Sequence, residues 1–186
     1  GRLNREPDVP RLVESSGGGC PDLRRALVDY LRVARSVRAD ADQILITEGI
    51  HQAVDLVTRV LCDPGDRVWM EEPGYWGTRN LLRMNGLKIR AMPVDEQGLV
   101  PDSGPAPKMV FVTPSHQYPL GVHLSLARRQ ALIALARRHQ SWIVEDDYDS
   151  EFRFCCQPHP SLQGREADAP FSYMGNLSYI LNTEGR

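Results

Sequence analysis

The segment Trp142-Ile143-Val144-Glu145-Asp146-Asp147-Tyr148-Asp149-Ser150-Glu151-Phe152 joins a short apolar run to a dense cluster of acidic side chains. Its first three residues predict a buried strand. Five carboxylates follow within seven residues, and they cannot all be buried without partners. A metal-binding acidic cluster or a solvated surface would normally lack the interleaved Tyr148 and Phe152. A carboxylate at the carboxyl end of a buried strand is instead well placed to meet a cationic ring nitrogen.

Short apolar runs alternate with helical segments along the rest of the chain. The spacing of apolar residues predicts strands at 44–47, 67–70, 88–94, 109–112 and 142–144, and helices at 22–31, 50–61, 75–85 and 126–139. Residues 95–107 are rich in Gly and Pro and predict a loop. This order predicts an α/β fold, a mainly parallel sheet with helices on both faces. Ligands of such sheets bind at the edge where the strands end.

Composition restricts the class of protein more than its function. The chain has 186 residues, 41% of them hydrophobic and 25% charged, with a net charge of −2. These values are ordinary for one globular domain and give no general attraction to nucleic acid or membrane. No apolar run resembles a signal peptide or a membrane span, so we expect a cytoplasmic location. The four cysteines lack metal-site spacing, and we expect them to be reduced thiols.

The turn at residues 47–52 lies between a predicted strand and a predicted helix and contains Gly49. A glycine lets the backbone turn sharply, and free N–H groups at a helix start attract a phosphate. An ordinary strand-to-helix turn would have the same composition, and the P-loop pattern is missing. Phosphate binding and a plain turn therefore both remain open for this segment.

Two further turns with aromatic residues follow predicted strands. Residues 71–77 place Tyr75 after a Pro-Gly turn, where its ring either covers a flat ligand or packs into the core. Residues 113–121 place His116 in a crowded polar loop, and such a loop is costly unless its polar groups find partners. His116 is either a structural residue or a functional one.

The order and spacing of these segments resemble the fold type I domain that binds pyridoxal 5′-phosphate (PLP), specifically in MocR-type regulators of the GntR family. The likeness runs from Gly18 to Gly175 and is carried by residues 63–69, 72–75, 113–121 and 145–152. In those proteins an aminotransferase-like domain follows a winged helix-turn-helix, and the parent proteins commonly dimerise. The resemblance implies that residues 1–20 are a lead-in linker and residues 21–186 an incomplete PLP-binding large domain.

The resemblance also implies roles for individual residues. The backbone of Gly49, Ile50 and His51 would hold the PLP phosphate at a helix start. Tyr75 would stack on the pyridine ring. Asp146 would pair with the protonated ring nitrogen.

Three more residues are implied as cofactor contacts. Tyr148 would hydrogen-bond the phenolic oxygen of PLP, with His116 as a less direct helper. Ser178 would add a contact from the segment after the last strand. No metal ligand is implied.

One element of the family pattern is missing. Family members carry a lysine that forms a Schiff base with PLP, in a Gly-Thr-Phe-Ser-Lys segment after a strand. Here residues 171–174 match that strand, residues 175–179 follow, and Tyr179 stands at the lysine position. The only lysines of the chain are Lys88 and Lys108. We therefore expect no catalytic residue in this chain and non-covalent binding of PLP at best.

The likeness leaves three interpretations of function. The first is the effector-binding domain of a regulator that senses an amino acid or amine and contacts DNA only through a winged helix absent from this chain. The second is part of an aminotransferase that acts on an amino acid and a 2-oxo acid, although such enzymes usually have Asn-Pro-x-Gly at residues 118–121. The third is a non-catalytic remnant that does not fold fully by itself.

Overall fold

Four α-helices and six strands make up the part of the chain described by the computed structural model, residues 17–148, 161–162 and 171–175. The helices are α1 (Pro21–Arg35), α2 (Ile50–Leu61), α3 (Trp76–Met84) and α4 (Leu126–His139), with a short 3-10 helix at Ala41–Gln43. The strands are β1 (Arg67–Glu72), β2 (Lys88–Asp95), β3 (Gly98–Leu99), β4 (Met109–Val112), β5 (Trp142–Asp147) and β6 (Phe171–Gly175). No helix among the described residues is long and apolar enough to cross a membrane.

The strands form one sheet in the order β3-β2-β1-β4-β5-β6. Every neighbouring pair is parallel except β2 and β3, which are antiparallel. The order changes direction at β1, because β2 lies on one side of it and β4 on the other. The predicted parallel α/β sheet is thus confirmed, and the strands β1, β4, β5 and β6 all end at the same edge.

Two apolar cores cover the two faces of the sheet. Alternate residues of each strand point to opposite faces. Val68 and Val144 pack towards α2 and α3, whereas Trp69 and Ile143 pack towards α4. All four side chains are fully buried. Helices therefore lie on both faces, as the short apolar strands predict.

The strand predicted at residues 44–47 is wrong. Ile46 donates a backbone hydrogen bond to Gly18, but no strand among the described residues pairs with this segment. β-Branched side chains favour an extended backbone, whereas a strand also needs a neighbour to hydrogen-bond with. The sequence of 44–47 shows the first property and cannot show the second.

Several boundaries also differ from the sequence prediction; α1, for example, ends at Arg35 rather than at residue 31. The loop expected over 95–107 contains β3, which turns back antiparallel to β2 through Gly98 at a φ of +94°. Strand β5 continues to Asp147, three residues beyond the predicted end at Val144. Hydrogen bonds to β6 carry β5 into the acidic segment, with Asp147 opposite Gly175.

Candidate functional site

A small cleft lies at the carboxyl edge of the sheet, where β1, β4 and β5 end. Tyr75, Thr78, Thr113 and Asp146 line it, together with Glu71. Two of the sequence-predicted residues, Tyr75 and Asp146, therefore share one cavity although they follow different strands. This is the edge at which parallel α/β sheets bind ligands.

Strand alternation separates the three consecutive carboxylates of β5. Asp146 is partly exposed and opens into the cleft on the face of Val144. Glu145 and Asp147 are buried and lie on the opposite face. The acidic cluster thus presents one carboxylate to the cleft and encloses two in protein.

The amino end of α2 lies beside the cleft. Gly49 precedes the helix at a φ of +115°, a conformation that side-chain-bearing residues avoid, and no atom lies within 4 Å of the position its Cβ would occupy. The first N–H groups of a helix have no acceptor within the helix. The backbone at Gly49, Ile50 and His51 therefore combines open space with free donors, which suits an anion.

Two aromatic side chains connect α2 to the turn after β1. The rings of His51 and Tyr75 are stacked with centroids 5.9 Å apart, and the Tyr75 hydroxyl is 3.1 Å from His51 Nε2. A Cβ at Gly77 would lie 2.6 Å from His51 Nε2 and from the Tyr75 ring. Glycine at position 77 is therefore what allows α3 to approach both rings.

Tyr118 links this pair to the other predicted aromatic residues. Its ring is perpendicular to that of Tyr75 at 5.8 Å and to that of Tyr148 at 6.2 Å. Tyr148 is in turn stacked with His116, with centroids 6.1 Å apart. Sequence reasoning overlooked Tyr118, although an aromatic residue between His116 and Pro119 in a strand-end loop was the available signal.

The structure thus brings most of the predicted site residues to one edge. It places His51 against Tyr75, His116 against Tyr148, and Tyr75 in the same cleft as Asp146. Ser178 and Tyr179 lie outside the described residues, and their predicted roles stay predictions. No group of three or more His, Cys, Asp or Glu side chains that could hold a metal ion occurs within the described ranges.

Glu71, which lines the cleft, and Glu145, on the opposite face of β5, are both buried. Burial raises the pKa of Glu71 from 4.5 to about 7, although hydrogen bonds from Thr113 and Gln117 act in the other direction. Burial, and secondarily the charge of Asp147, likewise raises the pKa of Glu145 to about 7. Each side chain therefore holds a proton in the folded state that it would release in the unfolded state between pH 4.5 and 7.

The free energy of unfolding is expected to fall as the pH rises from 4.5 to 7, because the folded chain binds more protons than the unfolded chain in that range. Each glutamate contributes at most about 1.4 kcal/mol for each unit of its pKa shift. Urea unfolding at pH 5, 6, 7 and 8 measures the slope. Glu71→Gln and Glu145→Gln should each flatten it, whereas Glu72→Gln, at the exposed neighbour of Glu71, should leave it unchanged. Equal slopes in all four proteins would contradict the assignment.

A buried ion pair lies on the other side of β5 from the cleft. Arg35 Nε, at the end of α1, is 2.7 Å from Asp147 Oδ2, and the two side chains are 2% and 0% exposed. Arg35 also donates to Ser115 Oγ at 2.6 Å, and the Tyr173 hydroxyl donates to Asp147. We call Arg35, Ser115, Asp147 and Tyr173 the Arg35 cluster. It joins α1, β5, β6 and the loop after β4.

Both lysines of the chain lie at the opposite edge of the sheet. Lys88 begins β2 and pairs with Arg67, the first residue of β1. Lys108 precedes β4 and donates its backbone N–H to Arg67. A six-residue strand spans roughly 20 Å, and that length separates Arg67 from the cleft. Neither lysine side chain therefore reaches the cleft.

The chain is similar in sequence to curated transcription regulators and to a family of aminotransferases. Residues 14–157 match the family described as Aminotransferase class I and II. The chain is 42% identical, over 88% of its length, to "Probable rhizopine catabolism regulatory protein MocR" of Rhizobium meliloti. It is 35% identical, over 97% of its length, to the HTH-type pyridoxine biosynthesis transcriptional regulator PdxR of Corynebacterium glutamicum. The matched regions cover 34% and 40% of those two proteins, so the chain spans little more than a third of either.

Solved structures show the same fold. An archaeal alanine:glyoxylate aminotransferase is 30% identical, with a TM-score of 0.86, over 96% of this chain and 46% of that one. LysN, the α-aminoadipate aminotransferase of Thermus thermophilus, is 31% identical, with a TM-score of 0.81, over 95% of this chain and 46% of its own. That LysN structure is complexed with N-(5′-phosphopyridoxyl)-L-leucine.

Proposed function

The chain belongs to the class I and II aminotransferase family, and from that premise we propose that it binds PLP as part of the effector-binding domain of a MocR-type, GntR-family regulator. The observation that carries the proposal is the shared cleft of Tyr75 and Asp146. A stacking ring and a carboxylate meet there beside the start of α2. Similarity to two curated transcription regulators supports the regulatory part.

The start of α2 fits the phosphate of PLP. A Cβ at Gly49 would fill the open space there, and the left-handed backbone of Gly49 keeps that space free. N–H groups at the helix start would donate to phosphate oxygens from Gly49, Ile50 and His51, and the helix dipole favours the negative charge.

The cleft fits the pyridine ring. Tyr75 would offer the face of its ring, while Asp146 would hold its carboxylate towards the ring nitrogen and keep a proton there. Tyr148 and, less directly, His116 would approach the phenolic oxygen. When bound, PLP supplies an electron-withdrawing ring and an aldehyde that reacts with amines. The effector that suits this chemistry is a small molecule with an amino group, an amino acid or an amine.

Binding of PLP without a covalent bond to this chain is supported by the position of the lysines. The cleft faces away from Lys88 and Lys108, and Tyr179 stands at the sequence position of the family lysine. A phenol does not form an imine. We therefore propose that residues 21–186 are an incomplete large domain that is inactive by itself, with residues 1–20 as its lead-in.

The double variant Lys88→Arg/Lys108→Arg is expected to bind PLP within about twofold of the parent affinity, because neither amine contacts the cleft. Absorbance titration of the 186-residue chain with PLP gives both dissociation constants. Borohydride treatment at stoichiometric PLP, followed by peptide mass spectrometry, should leave Lys88 and Lys108 unmodified. A reduced adduct in molar yield on either lysine would overturn non-covalent binding.

Part of a catalytic aminotransferase is the second candidate function. It is favoured by the two solved aminotransferases that match nearly the whole chain at 30% and 31% identity. Reading the coding sequence on both sides of this segment separates the candidates. A winged helix-turn-helix encoded in frame upstream supports the regulator and its DNA contact. An upstream region without one, together with transaminase activity of the whole gene product, supports the enzyme.

A further inference from the structure

Glu71 joins the ends of two strands beneath the cleft. It is the fifth residue of β1, and its side chain is almost fully buried. Its Oε2 accepts hydrogen bonds from the Thr113 hydroxyl at 2.6 Å and the Thr113 N–H at 3.2 Å. The amide of Gln117 donates to the same oxygen at 3.3 Å. One carboxylate oxygen thus ties β1 to the loop that follows β4.

Gln117 extends this connection to both tyrosine-bearing turns. Its side chain is 1% exposed, and Nε2 donates to the carbonyl of Pro73 at 2.8 Å and to that of Tyr118 at 2.7 Å. Its Oε1 accepts from the Leu120 N–H at 3.1 Å. Pro73 precedes Tyr75 by two residues. The same amide group therefore contacts the turn that carries Tyr75 and the turn that carries Tyr118.

Apart from His51 beside Tyr75 and Tyr148 beside Tyr118, the two rings rest on the backbone that carries them. Tyr118 is 41% exposed, and Tyr75 is partly exposed. Their perpendicular contact at 5.8 Å is a weak interaction between partly solvated rings. The backbone beneath the rings is anchored by buried hydrogen bonds, which keep their geometry better than solvated contacts do.

We propose that Glu71 is a positioning residue which, through Thr113 and Gln117, sets the distance and angle between the Tyr75 and Tyr118 rings and so shapes the face that receives the PLP ring. This inference rests on the proposed function for its ligand. The geometry of the two rings, however, is a property of the chain without ligand. Tyr118 thereby becomes part of the binding face.

The test compares Glu71→Leu with Glu72→Leu. In the first variant the common acceptor of three hydrogen bonds is gone, so the Thr113 and Gln117 donors lose it without a large change of volume. In the second, the adjacent glutamate is exposed and paired with Arg79 at the surface, and no cleft contact changes. We expect Glu71→Leu to weaken PLP binding about tenfold and Glu72→Leu to leave it unchanged, while Glu71→Gln, whose amide oxygen can accept the same three bonds, should bind as the unsubstituted chain does.

A readout without PLP separates positioning from the proposed function. Nuclear Overhauser contacts between the Tyr75 and Tyr118 rings are expected in the unsubstituted chain, in Glu72→Leu and in Glu71→Gln, and should be lost in Glu71→Leu. Circular dichroism and a cooperative thermal transition show whether Glu71→Leu is folded. Lost ring contacts in a folded Glu71→Leu protein support positioning even if the unsubstituted chain fails to bind PLP, which would reject the proposed function alone.

Thr113→Val keeps the proposal testable if Glu71→Leu does not fold. Valine has nearly the shape of threonine, retains the backbone donor and removes only the hydroxyl donor to Glu71. It should also free Tyr118, whose N–H donates to that hydroxyl at 3.3 Å. We expect weakened ring contacts and PLP binding reduced about threefold. Parent-like ring contacts and PLP affinity in either folded variant would overturn the role of Glu71.

Discussion

Replacing Arg35 by methionine is expected to lower the free energy of unfolding by about 3–5 kcal/mol, the largest stability change that we predict for this chain. The substitution leaves Asp147 as a buried carboxylate without its charged partner, and removes the hydrogen bond to Ser115. A buried ion pair adds little net stability as a whole, but breaking it from one side strands the remaining charge. Urea unfolding at pH 7.5, monitored by circular dichroism, measures the loss.

Two matched variants identify the cause of this loss. Arg32→Met makes the same change on the same helix, where Arg32 pairs with Asp29 at the surface, and it should have a small effect. Arg35→Met/Asp147→Asn removes both charges, while the side-chain amide oxygen introduced by the second substitution can still accept from the Tyr173 hydroxyl. The double variant should therefore be more stable than Arg35→Met. If Arg35→Met and Arg32→Met unfold at the same urea concentration, the buried pair is not the reason for the stability of this region.

The sequence predicted correctly those strands and helices whose apolar pattern lies within their own residues. Strand β4 at 109–112 and helices at 50–61 and 126–139 match the structure, because continuous apolar runs and helical spacing are local properties. The strand predicted at residues 44–47 was wrong for the opposite reason. Their extended backbone is local, but a strand also depends on a neighbour elsewhere in the chain.

The same difference between local and long-range information explains which site residues could be predicted. Gly49, Tyr75 and His116 lie in turns with a recognisable composition, Asp146 lies in the acidic end of β5, and the structure places all four at one edge of the sheet. No sequence pattern indicated a role for Arg35, because its partner Asp147 is distant in sequence and only the fold brings the two together. Glu71 was also missed. A glutamate at a strand end looks exposed until Thr113 and Gln117 are seen to enclose it.

Asp146→Asn is expected to weaken PLP binding by about 10- to 100-fold, the largest effect on affinity that we predict. A hydrogen bond between two charged groups contributes roughly 1.5–3 kcal/mol, and an amide cannot hold the proton on the ring nitrogen as a carboxylate does. Absorbance titration of the 186-residue chain measures the dissociation constant. Asp63→Asn, in the turn before β1 at the opposite edge of the sheet, is the control and should bind PLP as the parent does.

The neighbours of Asp146 make this prediction specific to one carboxylate. Because strand alternation buries Glu145 and Asp147 on the other face, Glu145→Gln should change the pH dependence of stability, and Asp147→Asn should change stability itself. Asp146→Asn alone should reduce affinity while the unfolding midpoint stays near that of the parent. If Asp146→Asn binds PLP within about twofold of the parent, the cleft carboxylate does not face the ring nitrogen, and the proposed orientation of PLP is wrong. If all three substitutions weaken binding equally, the acidic segment acts through its total charge rather than through the one side chain that opens into the cleft.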